Sequence, residues 1–145
     1  MEGFTTAEMK RFNYLMAETN AAYHEAAWKL GLSDSVMQIL YAVCNSGDNC
    51  LLADICRLSG ISKQTINSAL RKMEADGIVY LEKADGKAKR VYLTDRGKTL
   101  AENTAVKLID IENGILASWT REELEQFLEL NRKYLVNFKE KIREL

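Results

Sequence analysis

The sequence has no proline and a single histidine in 145 residues. Without proline there are no proline-rich linkers and no proline-kinked helices. Three cysteines, Cys44, Cys50 and Cys56, are too few for a disulfide scaffold. With His24 as the sole histidine they also offer no zinc-finger spacing. No run approaches the ~18 apolar residues of a membrane span. The opening Met1-Glu2-Gly3-Phe4-Thr5 carries neither a basic stretch nor an apolar run, so no secretory leader and a cytoplasmic location are expected. Phosphate loops, metal-ligand spacings and a nucleophile–base–orienter set are all missing, which argues against an enzyme and against a bound metal or cofactor. What is present is an ordinary globular composition, 47% apolar, enough for one domain with a sizeable core.

The net charge of −1 conceals an uneven distribution. Residues 1–56 carry 3 basic and 7 acidic groups, and residues 97–145 carry 8 and 9. The middle, residues 57–96, carries 9 basic and 5 acidic groups, a surplus of +4. Acidic flanks around a basic centre suggest a local anion-binding face; charge alone favours a plain solvated surface, and what lifts the basic segment is where its charges sit.

Apolar residues recur at helical spacing from Thr6 to Leu30, and Gly31 follows as a stop. Ser33 caps a second helix through Cys44, and the polar run Asn45 to Asn49 breaks it. Leu51 to Leu58 reads as a short third helix. Gly60 then supplies a turn, and Ser62 caps a helix over Lys63 to Asp76 that Gly77 ends. One side of that helix is the stripe Ile66, Ala69, Leu70 and Met73. The other carries Lys63, Gln64, Asn67, Ser68, Arg71 and Lys72, with no acid in its first three turns. Ile78 to Lys83 and Lys89 to Leu93 read as two strands around Asp85-Gly86, with Ile78, Tyr80, Val91 and Leu93 on the buried face. A helix from Asp95 to Trp119, loosened near Gly114, and a last helix opened by the capping box Thr120-Arg121-Glu122-Glu123 complete the chain.

The expected fold is mainly α with a small β-hairpin wing: a short helix, a glycine turn, a cationic helix, then a basic hairpin. That order is a winged helix-turn-helix. Its second helix fits the major groove, where Asn and Gln pair with adenine, Arg with guanine, and Ser or Thr with base or phosphate. A cationic hairpin tip can follow phosphates or enter the minor groove. The segments Asp54-Ile55-Cys56-Arg57-Leu58-Ser59-Gly60-Ile61-Ser62-Lys63-Gln64-Thr65-Ile66-Asn67-Ser68 and Leu70 to Val79 resemble the MarR (multiple-antibiotic-resistance regulator) family of bacterial transcription factors. The wing ending Val91-Tyr92-Leu93-Thr94-Asp95-Arg96-Gly97-Lys98 is close to that family's Leu-Thr-x-x-Gly.

The resemblance spans essentially the whole chain and implies a set of DNA-binding residues. Ser62, Lys63, Gln64, Thr65, Asn67, Ser68 and Arg71 fall on the recognition helix, and Lys87, Lys89 and Arg90 on the wing. Strand alternation sends Lys89 and Arg90 to opposite faces. Where the family has Asp-x-Arg, this chain has Asp85-Gly86-Lys87, keeping the charge without the planar fork. The family's aspartate pairs with its arginine, which implies a bracing role for Asp85. The resemblance also implies a homodimer on a pseudo-palindromic operator in double-stranded DNA, and a repressor relieved by a small aromatic or lipophilic effector. In this reading residues 1–145 form one MarR-like domain, with 1–31 and 97–145 as dimerisation helices and 33–96 as the DNA-binding lobe. The surplus of apolar residues on the first and last helices agrees with a dimer on physical grounds.

Other residues have plainer readings. Cys44 and Cys56 are expected in the core, and Cys50, beside a polar loop, as the exposed thiol without a basic neighbour to activate it. His24 is expected at a helix interface. Tyr23, Trp28 and Tyr41 are a core cluster before they are a ligand wall. The competing function is a winged-helix protein–protein module without DNA binding. The cationic face of 63–72 speaks against it, since partner surfaces are depleted in lysine.

Overall fold

The computed structural model describes residues 3–145. Its elements in chain order are α1 (Ala7–Lys29), α2 (Asp34–Asn45), β1 (Asn49–Leu51), α3 (Leu52–Ser59), α4 (Lys63–Ala75), β2 (Val79–Lys83), β3 (Lys89–Leu93), α5 (Asp95–Asn103), α6 (Ala105–Ala117) and α7 (Arg121–Ile142). Hydroxyl caps set most of the helix starts. Thr6, Ser33, Ser62, Thr94 and Thr120 each accept a first-turn backbone N–H, satisfying a donor that the helix itself cannot. Among the described residues no helix is long and apolar enough to cross a membrane.

The chain forms two compact units, one ending at Leu108 and the other Ile109–Leu145. The first unit has its core where α2, α3 and α4 meet one face of a three-stranded antiparallel sheet. Ile39, Leu40, Val43, Ile55, Ile66, Leu70 and Val91 are its fully enclosed side chains. In the second unit α7 has no buried residue; Trp119 meets Phe127 edge-on, with ring centroids 5.1 Å apart.

Three expectations are corrected. First, the wing has a third strand: β1 pairs with β3, giving the order β1-β3-β2, and Cys50 sits opposite Val91. Cys50 is therefore 2% exposed, not the open thiol. Cys44 and Cys56 are half-buried against the core, and burial pushes the Cys44 thiol pKa up. Second, β2 is out of phase with the expected alternation. Val79 and Leu81 pair with Leu93 and Val91 on the inner face, while Tyr80 lies outside and stacks on Tyr92 at 5.2 Å. Ile78 is also buried but precedes the strand. In the run Ile78-Val79-Tyr80-Leu81 every residue is apolar enough to face inward, so sequence alternation is ambiguous there.

Third, the long helix after the wing breaks at Thr104, not near Gly114. Thr104 leaves helical geometry at φ −132°, ψ −87°, and its hydroxyl donates to the Leu100 carbonyl at 2.6 Å. Such a back-bond competes with the helix ladder and bends it. Gly114 lies inside α6 without interrupting it.

Candidate nucleic-acid interface

The turn between α3 and α4 is built by Ser59, Gly60 and Ser62. Gly60 takes φ +66°, which closes α3 and which a side chain would disfavour. The Ser59 hydroxyl accepts the Ile61 N–H at 3.1 Å. The Ser62 hydroxyl oxygen accepts the Thr65 N–H at 3.2 Å, and its proton goes to Thr65 Oγ1 at 2.9 Å. Thr65 thus keeps its own hydroxyl proton for an outside acceptor. So the cap is also a presented donor.

Helix α4 is held by one face. Ile66, Leu70 and Met73 are 0–3% exposed. Burying three such side chains contributes roughly 5–9 kcal/mol gross, far more than any rim contact, so it fixes which side of the helix faces out. The outward side carries Lys63, Gln64, Thr65, Ser68 and Arg71 exposed, with Asn67 half-buried. Arg71 approaches Ser68 at 3.5 Å, long for a hydrogen bond, so its guanidinium is little restrained. There is no acidic residue in the first turn. Sites for planar hydrogen-bonding groups and sites for anions therefore lie side by side.

The wing leaves directly from the end of α4. Gly77 turns the chain at φ +72°, and Ile78 N–H bonds the Met73 carbonyl at 2.8 Å. The five residues of β2 then carry the tip roughly 17 Å outward. At the tip Gly86 takes φ +65°, and Ala88 N–H bonds the Asp85 carbonyl at 3.2 Å, so Asp85 closes the turn through its backbone. Lys87 and Lys89 are exposed. Lys83, missed in the sequence reading, sits directly opposite Lys89 in the register. Like charges facing each other across strands are unfavourable unless an anion neutralises them. Only the pairing register could have revealed this.

The ten residues expected to touch DNA divide into three groups. Six lie on α4, with Lys63, Gln64, Thr65, Ser68 and Arg71 exposed and Asn67 half-buried, and Ser62 caps that helix. Lys87 and Lys89 stand at the wing tip. Arg90 is half-buried and donates from Nη1 to the Asn49 carboxamide oxygen at 2.8 Å.

The base of the wing explains the Leu-Thr-x-x-Gly ending. The Thr94 hydroxyl lies 2.5 Å from the Gly77 carbonyl and accepts the Gly97 N–H at 3.0 Å. A Cβ on Gly97 would stand 2.0 Å from the Ile78 carbonyl oxygen, so only glycine lets α5 start against the wing.

Beside this face lies a cleft of about 660 Å³. Leu32, Val36, Met73, Ile78 and Leu100 give it an apolar floor, with Lys72, Arg96 and Asp76 at its charged edge. Tyr23, Trp28 and Tyr41 are not in its lining. Trp28 is 75% exposed, and Tyr41 packs on the core. His24 ties α1 to the first turn of α2, its Nδ1 2.6 Å from Asp34 Oδ2, and it does so in the open. Among the described residues no group of three His, Cys, Asp or Glu side chains is placed to hold a metal ion.

Recognition helix, capped glycine turn and cationic hairpin define a winged helix-turn-helix protein. Residues 30–90 match the sequence profile of the MarR family. No curated protein matches it by sequence. Among solved structures, a MarR family transcriptional regulator from Silicibacter pomeroyi is 27% identical, with 87% of this chain and 86% of that one aligned at a TM-score of 0.68. A MarR family regulator from Streptomyces coelicolor, solved in complex with DNA, is 17% identical over 93% and 90% of the chains at 0.67. NadR in complex with 4-hydroxyphenylacetate is 15% identical over 92% and 96% at 0.70.

Proposed function

We propose that this protein is a sequence-specific, double-stranded-DNA-binding transcriptional regulator, acting as a homodimer on a pseudo-palindromic operator. The observation that carries it is the outward face of α4. Five exposed polar or cationic side chains start at a hydroxyl cap, face away from a dry apolar stripe, and meet no acid in the first turn. Such a helix offers base-edge hydrogen bonding through Gln64 and Asn67, and phosphate attraction through Lys63 and Arg71. Lys83, Lys87 and Lys89 at the wing tip add a second cationic contact. The Streptomyces coelicolor regulator's complex with DNA supports the same use of a shared fold.

The dimer rests on uncovered apolar surface. On α7, Phe127, Leu128, Tyr134, Leu135, Phe138 and Ile142 are 43–56% exposed. On α1, Tyr14, Leu15 and Met16 are 49–64% exposed. Apolar patches of that extent mark an interaction surface, and a second copy covers them symmetrically. In this reading 33–96 is the DNA-binding lobe, and 1–31 with 97–145 serve dimerisation. The output is repression, relieved by a small effector; the ligand seen on NadR is an aromatic carboxylate. The cleft between apolar floor and Lys72/Arg96 suits that chemistry.

The test is titration with random duplex at low salt, followed by recovery of genomic fragments on the purified protein. Salt-sensitive binding with an enriched twofold-symmetric sequence supports the regulator. Absence of binding at any salt leaves the protein–protein module in its place.

A further inference from the structure

Arg90 was expected on DNA with the other wing cations, but its surroundings assign it different work. We infer that Arg90 is a positioning residue, which sets the pitch of the wing through Asn49 and does not itself touch DNA. The inference rests on the DNA-binding reading above.

The sheet has two faces. Cys50, Val79, Leu81, Val91 and Leu93 make the inner one, against the helices, and toward the tip the same face continues into Lys83 and Lys89. Asn49, Tyr80, Glu82, Arg90 and Tyr92 make the outer one. Arg90 therefore points away from the side on which α4 lies. It is also occupied. Its guanidinium donates to the Asn49 carboxamide oxygen at 2.8 Å, and the Asn49 amide donates on to the Asp48 carboxylate at 2.7 Å. A neutral amide between a cation and an anion is polarised the same way by both, so each bond strengthens the other.

The mechanical consequence follows from where Asn49 sits. It opens β1, a strand of only three residues, and Leu51 at the end of β1 is the N-cap residue of α3. That cap has no side-chain hydrogen bond of its own. Three backbone pairings and the Arg90–Asn49–Asp48 relay thus join the wing's return strand to the entrance of the helix-turn-helix. With the relay in place, α4 and the wing tip present as one surface. Without it, Lys87 and Lys89 lose their fixed offset from the recognition helix.

The experiment is a set of full-length variants, Asn49→Ala, Asn49→Asp, Arg90→Ala and Lys87→Ala, alone and paired, measured on operator and random duplex across a salt series. Asn49→Ala removes no charge. It should nevertheless lower operator affinity on the order of tenfold, the scale of one lost charge-assisted contact. Adding Lys87→Ala to it should cost little more, because a released wing no longer delivers that lysine. Asn49→Asp keeps an acceptor for Arg90 but cannot donate to Asp48, so it should recover only part of the affinity lost in Asn49→Ala. Arg90→Ala should match Asn49→Ala, and the double variant should be no worse than either. The inference is overturned if Asn49→Ala is neutral while Arg90→Ala makes the salt slope as shallow as Lys87→Ala does, since Arg90 is then itself on a phosphate. If the wild type binds no duplex at any salt, the DNA-binding reading fails separately. Amide exchange then decides the relay: faster exchange along β1 and β3 in Asn49→Ala, partly restored in Asn49→Asp, supports it, and unchanged exchange refutes it.

Discussion

Lys87→Ala is the most direct test of how the wing binds. Lys87 is exposed at the end of a hairpin whose two flanking strand positions, Lys83 and Lys89, face each other as like charges. A tip so charged gains by neutralising phosphate, and each neutralised phosphate releases counterions that enter the salt dependence with a slope near 0.9. One Lys87 per protomer and two protomers per operator give a change of about 1.8 in the slope of log affinity against log salt. Between 50 and 200 mM salt that slope corresponds to about a twelvefold difference. The wild type should therefore lose about twelve times more affinity over that range than the variant. Specific and non-specific duplex should weaken by similar factors, because a phosphate carries no sequence. Fluorescence anisotropy on an operator fragment and on random duplex, at four or five salt concentrations, measures both. Lys87→Arg supplies the planar fork and should bind more tightly, most of all where A·T-rich flanks narrow the minor groove. An unaltered slope for Lys87→Ala would take the wing tip off the phosphates and leave α4 to bind alone.

Base readout is tested on α4: Gln64→Ala and Asn67→Ala should each cost roughly 1–3 kcal/mol of discrimination at one base position, visible as a changed consensus in site selection. Two unchanged consensus sequences would mean that α4 does not read bases. Gly97→Ala places a methyl 2.0 Å from the Ile78 carbonyl oxygen, so it should destabilise the fold by about 3 kcal/mol or more, seen in urea melts; a neutral result would contradict the packing at the wing base. Cys50 is enclosed and burial raises the Cys44 pKa, so native alkylation at neutral pH should be far slower than in denaturant, and peroxide should leave DNA binding unchanged. Backbone and side-chain hydrogen bonds from Thr120 hold the Glu123 carboxyl pKa below its ordinary value, so the capping box of α7 contributes at neutral pH and fades as pH falls through and below the usual carboxylate range. Circular dichroism should show α7 helicity less acid-sensitive in Glu123→Gln, which has no carboxylate to lose.

Features encoded by neighbours in the chain were legible before the fold was known. The hydroxyl caps at Ser33, Ser62 and Thr120, the glycine stops at Gly31, Gly60 and Gly77, and the stripe Ile66, Leu70, Met73 all lie where local spacing places them. What failed was non-local. β1 is three residues inside a polar stretch, and its partner strand lies about forty residues on; no local propensity announces it. The same omission misplaced Cys50, because a thiol beside a polar loop looks open until a strand is laid across it. Thr104 misled in a different way: a threonine in a helix reads as neutral until its hydroxyl is seen to take the Leu100 carbonyl.

Arg90 shows why the site was harder to read than the fold. Alternation along β3 established that Lys89 and Arg90 face opposite ways, but not which of them stays free. That choice is made by Asn49, which sits diagonally across the β1–β3 pairing and offers a carboxamide where the guanidinium arrives. Charge counting treats every cation in 57–96 as equivalent, whereas desolvation and hydrogen bonding divide them. Arg90, bonded and half-buried, already has a partner on the wing, and presenting it to a phosphate would first require breaking that contact. Lys83, Lys87 and Lys89 stand open at the tip and gain by meeting one. Of these, Lys83 could not be ranked from sequence, because its weight comes from standing opposite Lys89, and that register depends on where the Ala84–Ala88 turn closes. The anion-binding capacity of the wing is therefore a property of strand pairing as much as of composition.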